Sequence, residues 1–151
     1  MQKTARWVIK EPNKPARVEE VAFSFENDDE LSREGLKLAQ ALVQGYVECV
    51  PLGPGVTILC NEEAGLQPGK FKHNCGYLGT IVFVGDEENE EGELFWGSLN
   101  DAQVEKVMNW CRKYEGATYS PAKPQLISGQ HNIAAYLDAR RDAILNEWAN
   151  L

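Results

Sequence analysis

The chain has 151 residues and a formal net charge of −8, with 43% apolar and 25% charged residues. That is enough for one globular domain with its own core, and short for two. The acidic balance argues against nucleic-acid binding through a basic face, because phosphate contact needs clustered Lys and Arg. No apolar run approaches the roughly 20 residues of a membrane span.

The N-terminal "MQKTARWVIKEP" lacks a long apolar run before a small-residue cleavage site, so no secretory signal is expected and the cytoplasm is the default location. Cys49, Cys60, Cys75 and Cys111 are then expected to be thiols. "ARWVIK" (5–10) predicts a first strand and "VEEVAFSF" (18–25) a second, paired across the turn-rich "EPNKPAR". Asn27 or Asp28 can cap a helix over about 29–44, with Asp29 and Glu30 suiting its positive end. Leu31, Leu36, Leu38, Ala39, Leu42 and Val43 supply its apolar stripe, and Gly45 ends it.

"YVECV" and "VTILC" flank "PLGPG" and predict a hairpin over 46–60, with Cys49 and Cys60 as small core residues. "YLGTIVFVG" (77–85) is apolar on both parities, the pattern of a central strand covered on two sides. "DEENEEGE" (86–93) has six acidic residues of eight and reads as a solvated hairpin tip, as "ENDDELSRE" (26–34) reads as a solvated helix start. "ELFWGSL" (93–99) is the returning strand. A helix over 100–116 follows, with Asn100 and Gln103 spaced for a capping box and Val104, Val107, Met108 and Cys111 as its stripe.

"ATYSPAKPQLISGQ" (117–130) is broken by Pro121, Pro124 and Gly129. The expected organisation is a domain over 1–116, a linker or draped loop over 117–131, and a C-terminal helix over 132–151. That helix places Ile133, Tyr136, Leu137, Ile144 and Trp148 on one face with Arg140, so it docks on its own domain or on a second chain, a homodimer being one outcome. Tyr136, Arg140 and Trp148 are its candidate partner-binding residues. The fold class is α+β, a mainly antiparallel sheet with helices packed against it.

Candidate chemistry centres on "CNEEAGLQPGKFKHNC" (60–75). Cys60, His73 and Cys75 have C-x₁₂-H-x-C spacing without the second close pair a zinc site wants, so no metal is expected. His73 and Cys75 lack an identifiable oxyanion donor or orienting group, so no catalytic residue is assigned. Glu62 and Glu63 are adjacent and solvated, with nothing to separate their pKa values as acid–base work requires. The remaining reading is an anion-binding loop over 69–79: Lys70, Lys72 and His73 for charge, Phe71 and Tyr77 for stacking, and Glu62 and Glu63 at its border. No dinucleotide or P-loop fingerprint and no cofactor motif is present.

The blocks "GYVECVPLGPGVTILCNEEAGL", "GTIVFVG" and "SLNDAQVEKVM", in that order, resemble the domain of unknown function 3846 family over about Ile9 to Tyr114. The sequence departs from the family's pattern at "LQPGKFKHN". The resemblance implies a small protein of phages or mobile elements and no established catalytic residue. With it, the expected function is a non-enzymatic accessory protein of a phage or mobile element that binds a host protein or a small ligand to counter host defence. Sequestration of a small anionic, nucleotide-like ligand by the 69–79 loop, acidic mimicry of DNA, and an unrecognised enzyme are the alternatives.

Overall fold

A computed structural model describes residues 1–120 and 140–151, together with the backbone of 133–139. The elements are β1 (Gln2–Lys10), β2 (Arg17–Ser24), α1 (Asp28–Val43), β3 (Val47–Gly53), β4 (Val56–Asn61), a short 3₁₀ turn (Ala64–Leu66), β5 (His73–Asn74), β6 (Tyr77–Leu78), β7 (Ile81–Glu88), β8 (Leu94–Gly97), α2 (Asp101–Lys113) and α3 (Ile133–Ala149). The main sheet is antiparallel in every pairing, with the order β2-β1-β7-β4-β3 and β8 added alongside β7. This is the expected α+β class.

Strand parity sorts the side chains into two cores. Ala5, Trp7, Ile9, Leu59, Val82 and Val84 pack with Leu31, Ala39 and Val43 of α1 on one face. Val8, Ile58, Cys60, Ile81 and Phe83 pack with Val107, Trp110 and Cys111 of α2 and Trp148 of α3 on the other. The double-parity apolar run thus forms the strand covered on both faces, over Ile81–Gly85. It begins later than its pattern suggests, because Tyr77 and Leu78 belong to a separate two-stranded hairpin. Cys75 (φ 51°) and Gly76 (φ 86°) form the two-residue turn of that hairpin with both φ positive, the geometry of a type I′ connection.

Helix termini follow the expected chemistry with one shift. The Asn27 side chain accepts from Glu30 N, and Asn100 and Gln103 form a reciprocal capping box. At the end of α1, Gln44 and not Gly45 takes the left-handed conformation (φ 61°). The glycine at 45 answers to something else: a Cβ there would lie 2.5 Å from Asn61 Nδ2. That amide donates to Val43 O and Gln44 O, so the end of β4 caps the carbonyl end of α1.

Three further expectations are corrected. Leu36 is exposed, since Gly35 takes the buried position of its turn. Cys49 is exposed while Cys60 is buried as expected. Cys49 pairs with Leu59 and therefore faces the α1 side, but it lies on the edge strand. The acidic tip is shorter than its composition suggests. Asp86 accepts from Thr57 Oγ1 at 2.7 Å, and Glu87 accepts from Lys3 Nζ at 2.6 Å and Ser98 N at 3.0 Å, so the turn is confined to 89–93.

The last turns of α3 pack on β3 and α2 of the same chain. Trp148 is buried against Gly53. Lys106 Nζ donates to Trp148 O at 2.8 Å, Asn109 Nδ2 to Leu151 O at 2.7 Å, and Tyr114 OH to Glu147 Oε2 at 2.6 Å. Residues 117–120 drape over the small hairpin, with Gly76 N donating to Ala117 O and Tyr119 N to His73 Nδ1. The expectations for 121–132, and for the side chains of Ile133, Tyr136 and Leu137, lie outside the described residues. Among the described residues no helix is long and apolar enough to cross a membrane.

Candidate functional site

The 69–79 stretch does not converge on one point. Lys70, Lys72 and His73 are exposed, and Nδ1 of His73 is occupied by Tyr119 N. Phe71 lies against Gly79 with Lys70 Nζ above its ring at 5.3 Å. Tyr77 instead points to the α2 face and packs on Trp110, with ring centroids 6.2 Å apart. The two aromatics are therefore not a joint stacking platform. Cys75 is buried, its Sγ 3.7 Å from Cys111 O, while His73 two residues earlier is exposed, because the left-handed turn at Cys75 breaks strand alternation between them. Glu62 and Glu63 are exposed, and Glu63 N is held by Asn61 Oδ1 in a local turn. Asn74 is buried and donates to Lys10 O and Gly79 O, which pins the hairpin to the end of β1.

Of the residues expected on the terminal helix, Arg140 joins Tyr77 in a cleft of about 480 Å³ walled by Trp110, Tyr114, Ile144 and Glu147. Trp148 is a core residue instead of a free contact. Burial pushes the Tyr77 hydroxyl far above its usual range, and the hydrogen bond to Glu147 pushes Tyr114 up to about 12, so both are neutral donors at ordinary pH.

A second surface brings together what the sequence keeps apart. The N-terminus of α1 carries Asp28, Asp29 and Glu30, and the 89–93 turn carries Glu90, Glu91 and Glu93. Asn89 Nδ2 lies 3.4 Å from both Asp28 Oδ2 and Glu93 Oε2, so one amide joins the two acidic runs. The same Asn89 accepts from Glu91 N and Glu93 N, which fixes the turn. Beside this acidic rim runs an apolar groove of about 290 Å³, lined by Phe23, Leu31, Gly35, Leu36, Leu94, Phe95 and Trp96. Leu94 is 71% exposed and Leu36 40%, an apolar strip bordered by carboxylates. Contiguous apolar surface rimmed by polar residues is a mark of an interaction site.

Neither half of that surface was evident beforehand. The two acidic runs are about 60 positions apart, and Leu36 is indistinguishable by type from the buried Leu31 and the half-buried Leu38. The signal that could have found it is Leu94, a large apolar residue directly after the acidic run.

Among the described residues, no three of His, Cys, Asp or Glu gather in a way that could hold a metal ion. Three of the four thiols are buried, and burial raises Cys60 and Cys111 to about 12, which makes them poor nucleophiles. No curated protein and no solved structure matches the chain. The family described as Domain of unknown function (DUF3846) does match, over residues 5–112, a span that takes in α1, nearly all of α2 and the sheet except for the first residues of β1, and the chain belongs to that family.

Proposed function

We propose that this chain is a non-enzymatic binding protein whose partner is a protein segment carrying Lys or Arg beside apolar side chains. The observation that carries the reading is the joining of two acidic runs at Asn89 along the rim of an apolar groove. Leu36, Leu94 and Trp96 would receive the apolar anchors, and the carboxylates of α1 and the 89–93 turn would meet the basic ones. Charge complementarity of this kind speeds encounter and sets register, while the apolar anchors supply most of the affinity. The resemblance to proteins of phages and mobile elements makes a host factor the partner we propose, and interference with a host defence its purpose. Mimicry of DNA fits less well, since the acid lies at one end of the sheet next to apolar surface and is not spaced along a rod.

The test is co-precipitation from host extract, followed by titration of the recovered partner with two variants. Leu36→Ser/Leu94→Ser removes the anchors, and Glu90→Gln/Glu91→Gln/Glu93→Gln removes charge. Each should weaken binding at least about tenfold, and the wild-type affinity should fall steeply with salt. Glu62→Gln/Glu63→Gln, on a different part of the surface, should bind like wild type. Retained affinity in both groove variants refutes the proposal.

A further inference from the structure

On the sheet face opposite the groove, β1 ends in a lysine at a core position. By parity Lys10 follows Val8 towards α2, and its side chain is only 1% exposed. Nζ has three hydrogens to place. It donates to Glu11 O at 3.0 Å, and the nearest carboxylate, Glu115 Oε2, is 3.7 Å away on a side chain that is itself 60% exposed. A buried ammonium with one carbonyl and one distant, largely solvated carboxylate is under-compensated.

Lys10 lines a cavity of about 460 Å³ whose rim carries Lys14 and Arg112 and whose wall includes Pro15, Ala16 and Met108. In a chain of net charge −8, this cavity therefore gathers Lys10, Lys14 and Arg112 against Glu115, with the carboxylate of Glu11 at its edge shared between Lys14 at 3.7 Å and Arg17 at 2.7 Å. The carbonyl end of α2 claims part of that charge, equivalent to about half an elementary charge. An excess remains, and it comes from three separate elements: β1, the 11–16 turn and α2. Donors supplied by three separate elements suit the tetrahedral oxygens of a phosphoryl group better than a planar carboxylate, and Arg112, whose Nη2 also holds Asn109 Oδ1, adds guanidinium donors to them. The space exceeds what inorganic phosphate fills, and the Pro15, Ala16 and Met108 wall suits a short organic group attached to it.

We infer that the Lys10 cavity is a binding site for a small phosphate monoester, seated on Lys10 with Lys14 and Arg112 closing over the phosphoryl oxygens. This gives the small-anion chemistry expected of the chain a place other than the 69–79 loop. The site is independent of the groove, so it stands or falls separately from the proposed partner.

Phenyl phosphate is the probe, titrated into the full chain at low ionic strength while backbone amide shifts and the melting temperature are recorded. The expected result is a rise in melting temperature, with shifts concentrated at residues 10–16 and 108–115. Lys14→Gln and Arg112→Gln, at exposed positions that should not disturb folding, should each weaken binding roughly tenfold. Lys10→Met, which keeps the stem and removes the charge, should abolish it, and if that variant does not fold the two rim variants decide. Lys70→Gln should bind like wild type. Absence of binding, insensitivity to both rim variants, or equal loss in Lys70→Gln overturns the assignment. Tighter binding of succinate than of phenyl phosphate overturns the phosphoryl class.

Discussion

Replacing Gly53 with alanine tests how α3 is held. The glycine lies in the bulged end of β3, and a Cβ built there would overlap the indole of Trp148 at Cδ2, Cε3 and Cγ. Backbone on one side and a rigid ring on the other leave no flexible atom to yield, so the indole must leave its site or the strand must shift. An indole buries about 150–250 Å². At about 25 cal/mol/Å² that is at most roughly 4–6 kcal/mol for complete undocking, and a strand shift costs roughly 1–3 kcal/mol. Gly53→Ala should therefore destabilise by about 2–4 kcal/mol, a fall of roughly 5–15 °C in melting temperature for a chain of this size. Trp148→Ala alone should cost about 3–5 kcal/mol. The decisive measurement is the double variant, followed by chemical denaturation. With the indole gone, the added methyl meets open space and should cost under about 0.5 kcal/mol, a large non-additivity. If Gly53→Ala costs as much in the Trp148→Ala background as in wild type, the overlap with Trp148 is not the cause and α3 is not anchored in this way.

Glu87 should behave unlike its neighbours in the acidic run. Its carboxyl is raised by burial, but hydrogen bonds from Lys3 and from Ser98 N outweigh this and hold it below its ordinary 4.5. That contribution is present above the ordinary pKa and is lost as pH falls below it; Glu87→Ser should cost about 1–2 kcal/mol at neutral pH, whereas Glu90→Ser/Glu91→Ser should leave the melting temperature unchanged or slightly higher. On the alkaline side, Tyr114 is raised from 10.0 to about 12 by its hydrogen bond to Glu147, and Cys60 and Cys111 from 9.0 to about 12 by burial. Groups raised by folding stabilise below their ordinary values and lose that contribution as pH climbs towards the raised ones, so stability should decline from about pH 9 to 12, and less steeply in Tyr114→Phe. A thiol reagent applied to the native protein should modify Cys49 rapidly and Cys60, Cys75 and Cys111 only at the rate of opening; rapid modification of all four would contradict the burial described above.

Where a local pattern decides the structure, the sequence was sufficient. The caps at Asn27 and Asn100, the stripe of α2 and (Leu36 apart) that of α1, and the two-sided apolar run at Ile81–Val84 are each governed by neighbours within a few positions. The strand start at Ile81 was missed because a Cys-Gly pair is an unusual type I′ turn, which normally announces itself with Asn or Asp. Cys49 was misplaced because parity tells which face a residue takes but not whether a helix reaches that far across the sheet. The surfaces of functional interest were less legible still. The groove needs α1 and β8 side by side, the Tyr77–Arg140 cleft needs two helices and a hairpin, and Lys10 reads as an ordinary polar strand end until α2 lies over it. Trp110, the hub of three aromatic contacts, was passed over for the same reason.

The order of strands in the sheet has a consequence for how the chain is made. β1 meets its inner neighbour, β7, only through Val8, Ile9 and Lys10 against Phe83, Val82 and Ile81, more than 70 positions later in the chain. During synthesis the β1–β2 hairpin and α1 therefore emerge with an open strand edge and the apolar Val8 side of β1 bare. At roughly 5–20 residues per second the wait is several seconds. Long-range closures of this kind slow folding, and an unpaired edge is an invitation to the wrong strand. In this chain the edge left waiting ends in Lys10, and a lysine at a strand edge is one of the devices that discourage such mispairing. The residue that is costly to bury in the finished protein would, in the nascent one, guard the place where β7 must dock.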